Sequence, residues 1–453
     1  MLLRLTPSSC ARPRAVAPTP ESRRQARGAQ LSFAVQVAGV VVSYAVQIVL
    51  ARALGARDFG AYSYVLAWCG PLSMAAGLGL PTVALRFLPV YRDENDPGRL
   101  AGLVVASERI AWAASVGIAL AGSGLALALV ARPTPLLVGL WTLPLAVQLK
   151  VQSELARSAE RFRLAFVLPL LQQLVMLGAA IAAVTVFGHG LGVAGALVLP
   201  ALGAAAILPW QRLALRRLLR RDVGAVPPAE RSYETRRWLA AGVAFLAIDA
   251  ADTVLNQADS LLVGAVGGTR ELALFAAATG TASFAMLAMI AVGASTVPAF
   301  SRHWARGDRA GLEALAQRAV RWAFWPQVAV TAVLAAASGP LLGLFGPGFL
   351  AARGALLFLF AGQLANTSTG YIGCLMKLTD NQRRSARSIW LVAVLNVAFV
   401  TFGLHLAGVT GAAAGTAASS LAWNLWLYRL VRRHVGVHPS IVDVVLGRRV
   451  AAG

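Results

Sequence analysis

The sequence predicts an all-α polytopic membrane protein of about twelve transmembrane helices in two six-helix lobes, with both termini cytoplasmic. Three observations carry that prediction. Hydrophobic residues make up 58% of the 453-residue chain and charged residues 13%, with a mean hydropathy of +0.66, outside the balance of a soluble domain. Apolar segments long enough to cross a hydrocarbon core of about 30 Å recur from residue 28 almost to the C-terminus. The arginines, finally, crowd into every second connection.

The first expected span, 28–52, follows a basic tail over 1–27 and joins the second, 61–89, through a short turn carrying Arg52 and Arg57. Arg92, Arg99 and Arg109 lead into the third, 106–131. Arg132 precedes the fourth, 134–156, and a basic loop over 157–163 precedes the fifth, 164–187. The sixth, 190–211, opens onto eight arginines between 212 and 237, and beyond them lie 239–266, 272–300, 318–338, 351–376, 386–405 and 408–431. Of 41 Lys and Arg, 34 fall on one side, five on the other, and Arg86 and Lys150 within spans. The positive-inside rule makes the crowded side cytoplasmic. The net charge of +22 is then a topology signal, and nucleic acid is not an expected partner.

Internal similarity divides the chain. LGARDFGAYSYVLA at 54–67 aligns without gaps to GGTRELALFAAATG at 267–280, an offset of 213, and GVAGA at 192–196 matches GVTGA at 408–412, an offset of 216. The expected organisation is a tail over 1–27, an N-lobe over 28–219, a linker over 220–237 containing VPPAE, a C-lobe over 238–435 and a tail over 436–453. Two same-topology bundles of this kind suggest alternating access around a central cavity.

The seventh span raises the sharpest question. It reads FLAIDAADTVLNQADSLLVG and carries Asp249, Asp252, Asn256 and Asp259. At 100° per residue these positions and Ser260 fall in an arc of roughly 100° on one helix face. Charges facing lipid at such depth cost at least about 2.5 kcal/mol each, so this stripe is expected to line protein interior or a wet cavity. An offset of 213 maps Asp249, Asn256 and Ser260 onto Gln36, Ser43 and Gln47 of the first span, an uncharged counterpart on the other wall. Carboxylates suit Na⁺ or a shared proton, which makes Asp249, Asp252, Asn256 and Asp259 candidates for ion coupling. The competing expectation is that they pair with Arg86 or Lys150, or act as hydrogen-bonded glue between helices.

Cations inside spans suit a phosphate or pyrophosphate group. Lys150, flanked at alternate positions by Gln148 and Gln152, is the first candidate, Arg86 the second and Arg52 the third. No catalytic constellation, metal-ligand spacing or G-x-x-x-x-G-K-[ST] phosphate loop is present among the motifs of the sequence, and no cofactor beyond a coupling Na⁺ or H⁺ is expected. Cys69 and Cys374 fall in spans and Cys10 in the tail, without disulfide or metal spacing. GAAAG at 411–415 reads as a helix-packing motif.

The stretch VLARALGARDFGAYSYVLAWCGPLSMAAGLGLPTVALRFLPVYR at 49–92 resembles the opening of the polysaccharide-transport branch of the multidrug/oligosaccharidyl-lipid/polysaccharide exporter superfamily, the group containing Wzx-type flippases. Ala51, Arg52, Leu54, Gly55, Phe59, Gly60 and Tyr62 match its pattern between the first two helices. Asp259 and Gly264, followed by the 267–275 turn, resemble the corresponding second-lobe segment, with Phe275 in place of Tyr and Ala273 in place of Gly. The resemblance implies a flippase in the bacterial inner membrane, not an enzyme, that moves lipid-linked oligosaccharides to the outer leaflet. Its partners would be that substrate, membrane lipids and other polysaccharide-assembly proteins. A cation-coupled multidrug exporter of the same superfamily is the nearest alternative, and a membrane polysaccharide polymerase or ligase a more distant one.

Overall fold

The computed structural model describes residues 20–130, 133–159, 161–224, 226–378 and 382–447; within that backbone, the side chains of 20–32, 162, 163, 189, 222, 223, 247–249, 251, 252, 254–256, 298, 377, 378 and 382–392 lie outside the description. Among the described residues the secondary structure is entirely helical. In chain order the α-helices are α1 (Pro20–Gly77), α2 (Leu80–Asp93), α3 (Pro97–Leu129), α4 (Thr134–Ser158), α5 (Phe162–Phe187), α6 (Gly192–Val223), α7 (Thr235–Leu262), α8 (Gly268–Ala282), α9 (Leu287–Ala305), α10 (Arg309–Ala336), α11 (Ser338–Gly343), α12 (Arg353–Ser368), α13 (Ile372–Leu378), α14 (Gln382–His434) and α15 (Ile441–Val445).

Nine helical stretches among the described residues are long and apolar enough to cross a membrane. Three of them, 45, 49 and 42 residues long, run to more than about 60 Å at 1.5 Å per residue, twice a hydrocarbon core. Each is divided by a glycine whose φ is positive: Gly55 (φ 74°, ψ 171°), Gly268 (φ 85°, ψ 179°) and Gly408 (φ 55°, ψ −140°). Side chains with a Cβ are essentially excluded from that region of φ and ψ. At the third break the chain folds back on itself, because Gly411 lies against the Gly403 carbonyl and Gly415 against that of Phe399. GAAAG is thus a packing motif, as its small residues suggest.

These breaks repeat at the offsets visible in the sequence. Gly55 and Gly268 are 213 apart, and Gly192 (φ 60°, ψ 169°) and Gly408 are 216 apart. A further pair emerges only in three dimensions. Asp96 caps α3 by accepting from the Arg99 N–H, and Asp308 caps α10 by accepting from the Gly311 N–H. Each follows a residue with positive φ, Asn95 and Gly307.

Three expected spans are interrupted. The span expected over 61–89 breaks at Leu78 (φ 48°) and Gly79 (φ 67°), where a Cβ on Gly79 would fall 2.0 Å from the Gly242 carbonyl oxygen. The backbones of the α1–α2 junction and α7 therefore touch. The span expected over 351–376 breaks at Gly370 (φ 70°), packed on Val320, and that over 272–300 passes through a 3₁₀ turn at Ser283–Met286.

The core has a polarity. One apolar cluster surrounds the turns near 55, 190, 268, 346 and 408 and is shared by both halves of the chain: Leu50, Phe59 and Leu197 from the first, Phe275, Phe345 and Leu404 from the second. Tyr44 binds the halves there, 3.2 Å from Thr281 Oγ1 and edge-on to Phe284 and Phe345. Gly60 packs so closely on the Thr269 carbonyl that a Cβ would lie 1.7 Å from its oxygen. At the arginine-rich end the cores separate, one around Leu88, Leu103, Leu155 and Trp238, the other around Phe300, Leu312, Leu375 and Val431.

Candidate functional site

A series of cavities joined by common lining residues runs from between the halves into the first half. The first, about 590 Å³, sits between α1, α5 and the α8–α9 bend, with Gln36, Ser43, Gln47, Gln173, Thr279 and Ser283 on its walls. The second, about 430 Å³, shares Ser43, Gln47, Gln173 and Thr279 with it and adds Gln172, Gln257, Ser260 and Ser63. A third, about 370 Å³, shares Gln172 and Pro200 with the second and ends at Ser153 and Lys150. Lys150 also faces a fourth, about 260 Å³, with Thr82, Glu154, Arg157 and Thr253.

Gln36, Ser43 and Gln47 all line the first of these cavities, and Ser43 and Gln47 line the second as well. Glycines make room for the amides: a Cβ on Gly280 would lie 2.6 Å from Gln47 Oε1, and one on Gly70 3.3 Å from Gln257. Gln173 Oε1 is buried without a hydrogen-bond partner among the described residues. A buried acceptor left unpaired costs roughly 1–3 kcal/mol, which a hydroxyl-bearing ligand would recover. The sequence signal for this amide cluster is an adjacent pair, Gln172-Gln173, in an otherwise apolar run.

Lys150 is exposed to the cavities and has no ion pair among the described residues. Gln148 and Gln152 face the other way. Their amides donate to the backbone and carboxylate of Glu108 on α3, at 2.7 and 3.2 Å; they share a helix face opposite Lys150. Arg86 is exposed, its guanidinium 5.6 Å from the Phe87 ring centre and 6.0 Å from that of Phe245. Arg52 sits at the opposite, arginine-poor end and donates to the Leu344 carbonyl at 2.6 Å, clasping the two halves. The structure therefore does not bring Arg52 together with Lys150.

Of the acidic stripe, the side chains of Asp249, Asp252 and Asn256 lie outside the described residues. Asp259 turns away from Lys150 and Arg86 toward α14. Asn396 Nδ2 donates to its Oδ1 at 2.5 Å and Thr416 Oγ1 to its Oδ2 at 2.9 Å, while Ser419 Oγ donates to Asn396 Oδ1 at 2.6 Å. No cation neutralises this carboxyl among the described residues. It is held by neutral oxygen- and nitrogen-bearing groups alone, a set able to keep a proton or to surround a hard cation.

Comparison with known proteins places this geometry. The family described as polysaccharide biosynthesis protein matches residues 26–304, more than half of the chain, and the family described as MatE matches residues 249–402. No curated protein matches in sequence. Among solved structures, the inward-facing conformation of a multidrug resistance MATE family transporter of the MOP superfamily superposes with a TM-score of 0.74 at 16% identity, over 88% of this chain and 94% of that one. The outward-facing conformation of a multidrug resistance MATE family transporter of that superfamily gives 0.63 at 15% identity, over 91% and 95%. A MOP superfamily transporter from Pyrococcus furiosus Vc1, whose reverse binding-pocket polarity was taken to suggest a different function, gives 0.63 at 15% identity over 91% and 95%. The chain belongs to the polysaccharide biosynthesis protein family, and its multi-pass helical fold is that of these transporters.

Proposed function

We propose that the chain is a flippase that carries a lipid-linked oligosaccharide across a bacterial cytoplasmic membrane by alternating access. The observation that carries this reading is the wall of the two larger cavities. Five glutamines and a set of Ser and Thr hydroxyls line it, with no charged side chain among the described residues. Amides and hydroxyls match the mixed donors and acceptors of a glycan. A cation-binding exporter would place a carboxylate there. The cavities end at Lys150, a point charge suited to the pyrophosphate of the carrier, and the lipid tail stays in the bilayer.

With the arginine-rich end in the cytoplasm, an even number of crossings would put both termini there. The shared core at the opposite end and the separate cores at this one support an inward-facing reading, open to a cytoplasmic substrate. Coupling is proposed at Asp259, where binding of Na⁺ or H⁺ among Asn396, Thr416 and Ser419 would bias the return.

Expression in a bacterium deprived of its own oligosaccharide flippase tests the assignment. Restored surface polysaccharide, with unchanged resistance to cationic dyes, is the expected result. Raised dye resistance without restored polysaccharide would make the chain a drug exporter.

A further inference from the structure

A further pocket, of about 530 Å³, lies at the arginine-rich end on the flank of the first half, between α3, α6 and the segment leading to α7. Arg109, Arg212, Arg216, Arg220 and Arg231 converge on it, and Glu108 is the one acid among its described lining residues, leaving four positive charges in excess.

Its cations are held in place. Glu108, 3% exposed, accepts from Arg212 at 2.9 Å and Arg216 at 3.3 Å, while Gln152 holds its other oxygen. The segment carrying Arg231 docks on α3, where the Ser232 N–H donates to the Gly98 carbonyl and Glu234 pairs with Arg99 at 3.1 Å. Arg231 Nε is buried without a partner among the described residues. Arg109 and Arg220 have no ion pair among the described residues.

The depth of the pocket follows from the sequence. Residues 110–129 of α3 and 192–211 of α6 are twenty-residue runs without a charge, each about 30 Å long and so matched to the hydrocarbon core. Arg109 and Arg212 begin where those runs end. Trp112 and Trp210, exposed on the same two helices, mark that boundary in the manner of an interfacial aromatic belt. The rest of the wall, including Leu100, Val104 and Leu219, is apolar.

We propose that this pocket binds the phosphate headgroup of an anionic phospholipid of the surrounding bilayer. The excess of arginine donors meets the phosphate oxygens, and acyl chains continue along the apolar flank of α3 and α6. Basic pockets between helices at one membrane surface are suited to this chemistry. The site is separate from the transport cavities and does not depend on the nature of their substrate.

The test is lipid retention by the purified full-length protein in nanodiscs of phosphatidylcholine doped with phosphatidylglycerol, followed by delipidation and mass spectrometry of the bound lipid. The wild type should retain phosphatidylglycerol selectively, and the double substitution R109Q/R220Q, which spares the Glu108 cluster, should weaken that preference roughly thirtyfold. The charge-matched control R432Q/R433Q, on exposed arginines of α14, should keep it. Equal loss in both variants, no preference in the wild type, or release of the lipid by low concentrations of inorganic phosphate would each overturn the assignment.

Discussion

Asp259 shows how a single ionisable residue is accommodated at depth. Its two oxygens are satisfied by Asn396 and Thr416, and the network closes through Ser419, so the carboxyl is neither stranded nor tied up by an arginine. Replacement Asp259→Asn keeps size and hydrogen-bonding shape while removing the titratable oxygen. Transport by this variant in vesicles is expected to proceed but to lose its response to an imposed proton or sodium gradient, with an unchanged apparent melting temperature. Full gradient dependence in the variant would confine Asp259 to a packing role. The residue itself was legible as a carboxylate in an apolar run. Its partners were not, because α14 brings them in from more than 130 positions away. Gln36, Ser43 and Gln47 were legible from periodicity and repeat together, whereas Gln148 and Gln152 were read by adjacency to Lys150 when helical geometry points them to the other face.

Glycines set what the helices do to one another. Gly60 stands so close to the Thr269 carbonyl that no side-chain rotation relieves a larger residue. Gly60→Val is therefore expected to lower stability by about 1–3 kcal/mol, read as a fall of several degrees in apparent melting temperature. Gly117→Ala on α3, with nothing within 4 Å of an added Cβ, should leave it unchanged or slightly raised; melting of Gly60→Val with the wild type would remove Gly60 from the contact between the halves.

The cap of α10 makes a different prediction. The Gly311 N–H first, and His303 beside it, hold the Asp308 carboxyl below the usual carboxylate range. A lowered folded value means that the stabilisation is present above the unfolded value of about 3.9 and is lost as pH falls through the folded one. The melting deficit of Asp308→Ala should accordingly be full near neutrality and shrink on acidification below that value; a deficit independent of pH would show that the charge contributes nothing. The breaks at Gly55, Gly268 and Gly408 were visible as turns between spans, but those at Gly79 and Gly370 sit inside apolar runs. Only contacts with Gly242 and Val320, across the fold, reveal why the helix stops there.

At the scale of the molecule, the distribution of cores supports the proposed alternating access. A single core joins the halves at the arginine-poor end, and at the other end two separate cores remain, the first of which also takes in Trp238 at the start of α7. In the proposed mechanism, rocking about that junction would carry an amide-lined cavity, without charge among the described residues, between the two membrane faces. Hydropathy and the one-sided arginines made the fold class legible, since lipid excludes most other architectures. The wall chemistry was less so, because Gln172, Gln173 and Gln257 join Gln47 only when α5 and α7 pack beside α1.

The most direct test of this account is translocation of a pyrophosphate-linked oligosaccharide across proteoliposomes containing the purified protein, scored by its accessibility to a glycan-modifying enzyme outside. The account predicts protein-dependent exposure of the glycan, sharply reduced in Lys150→Glu and much less in Lys150→Arg, and reduced again when Gln47 and Gln173 are both replaced by Leu. No exposure above protein-free liposomes, or equal exposure in all of these variants, would contradict it.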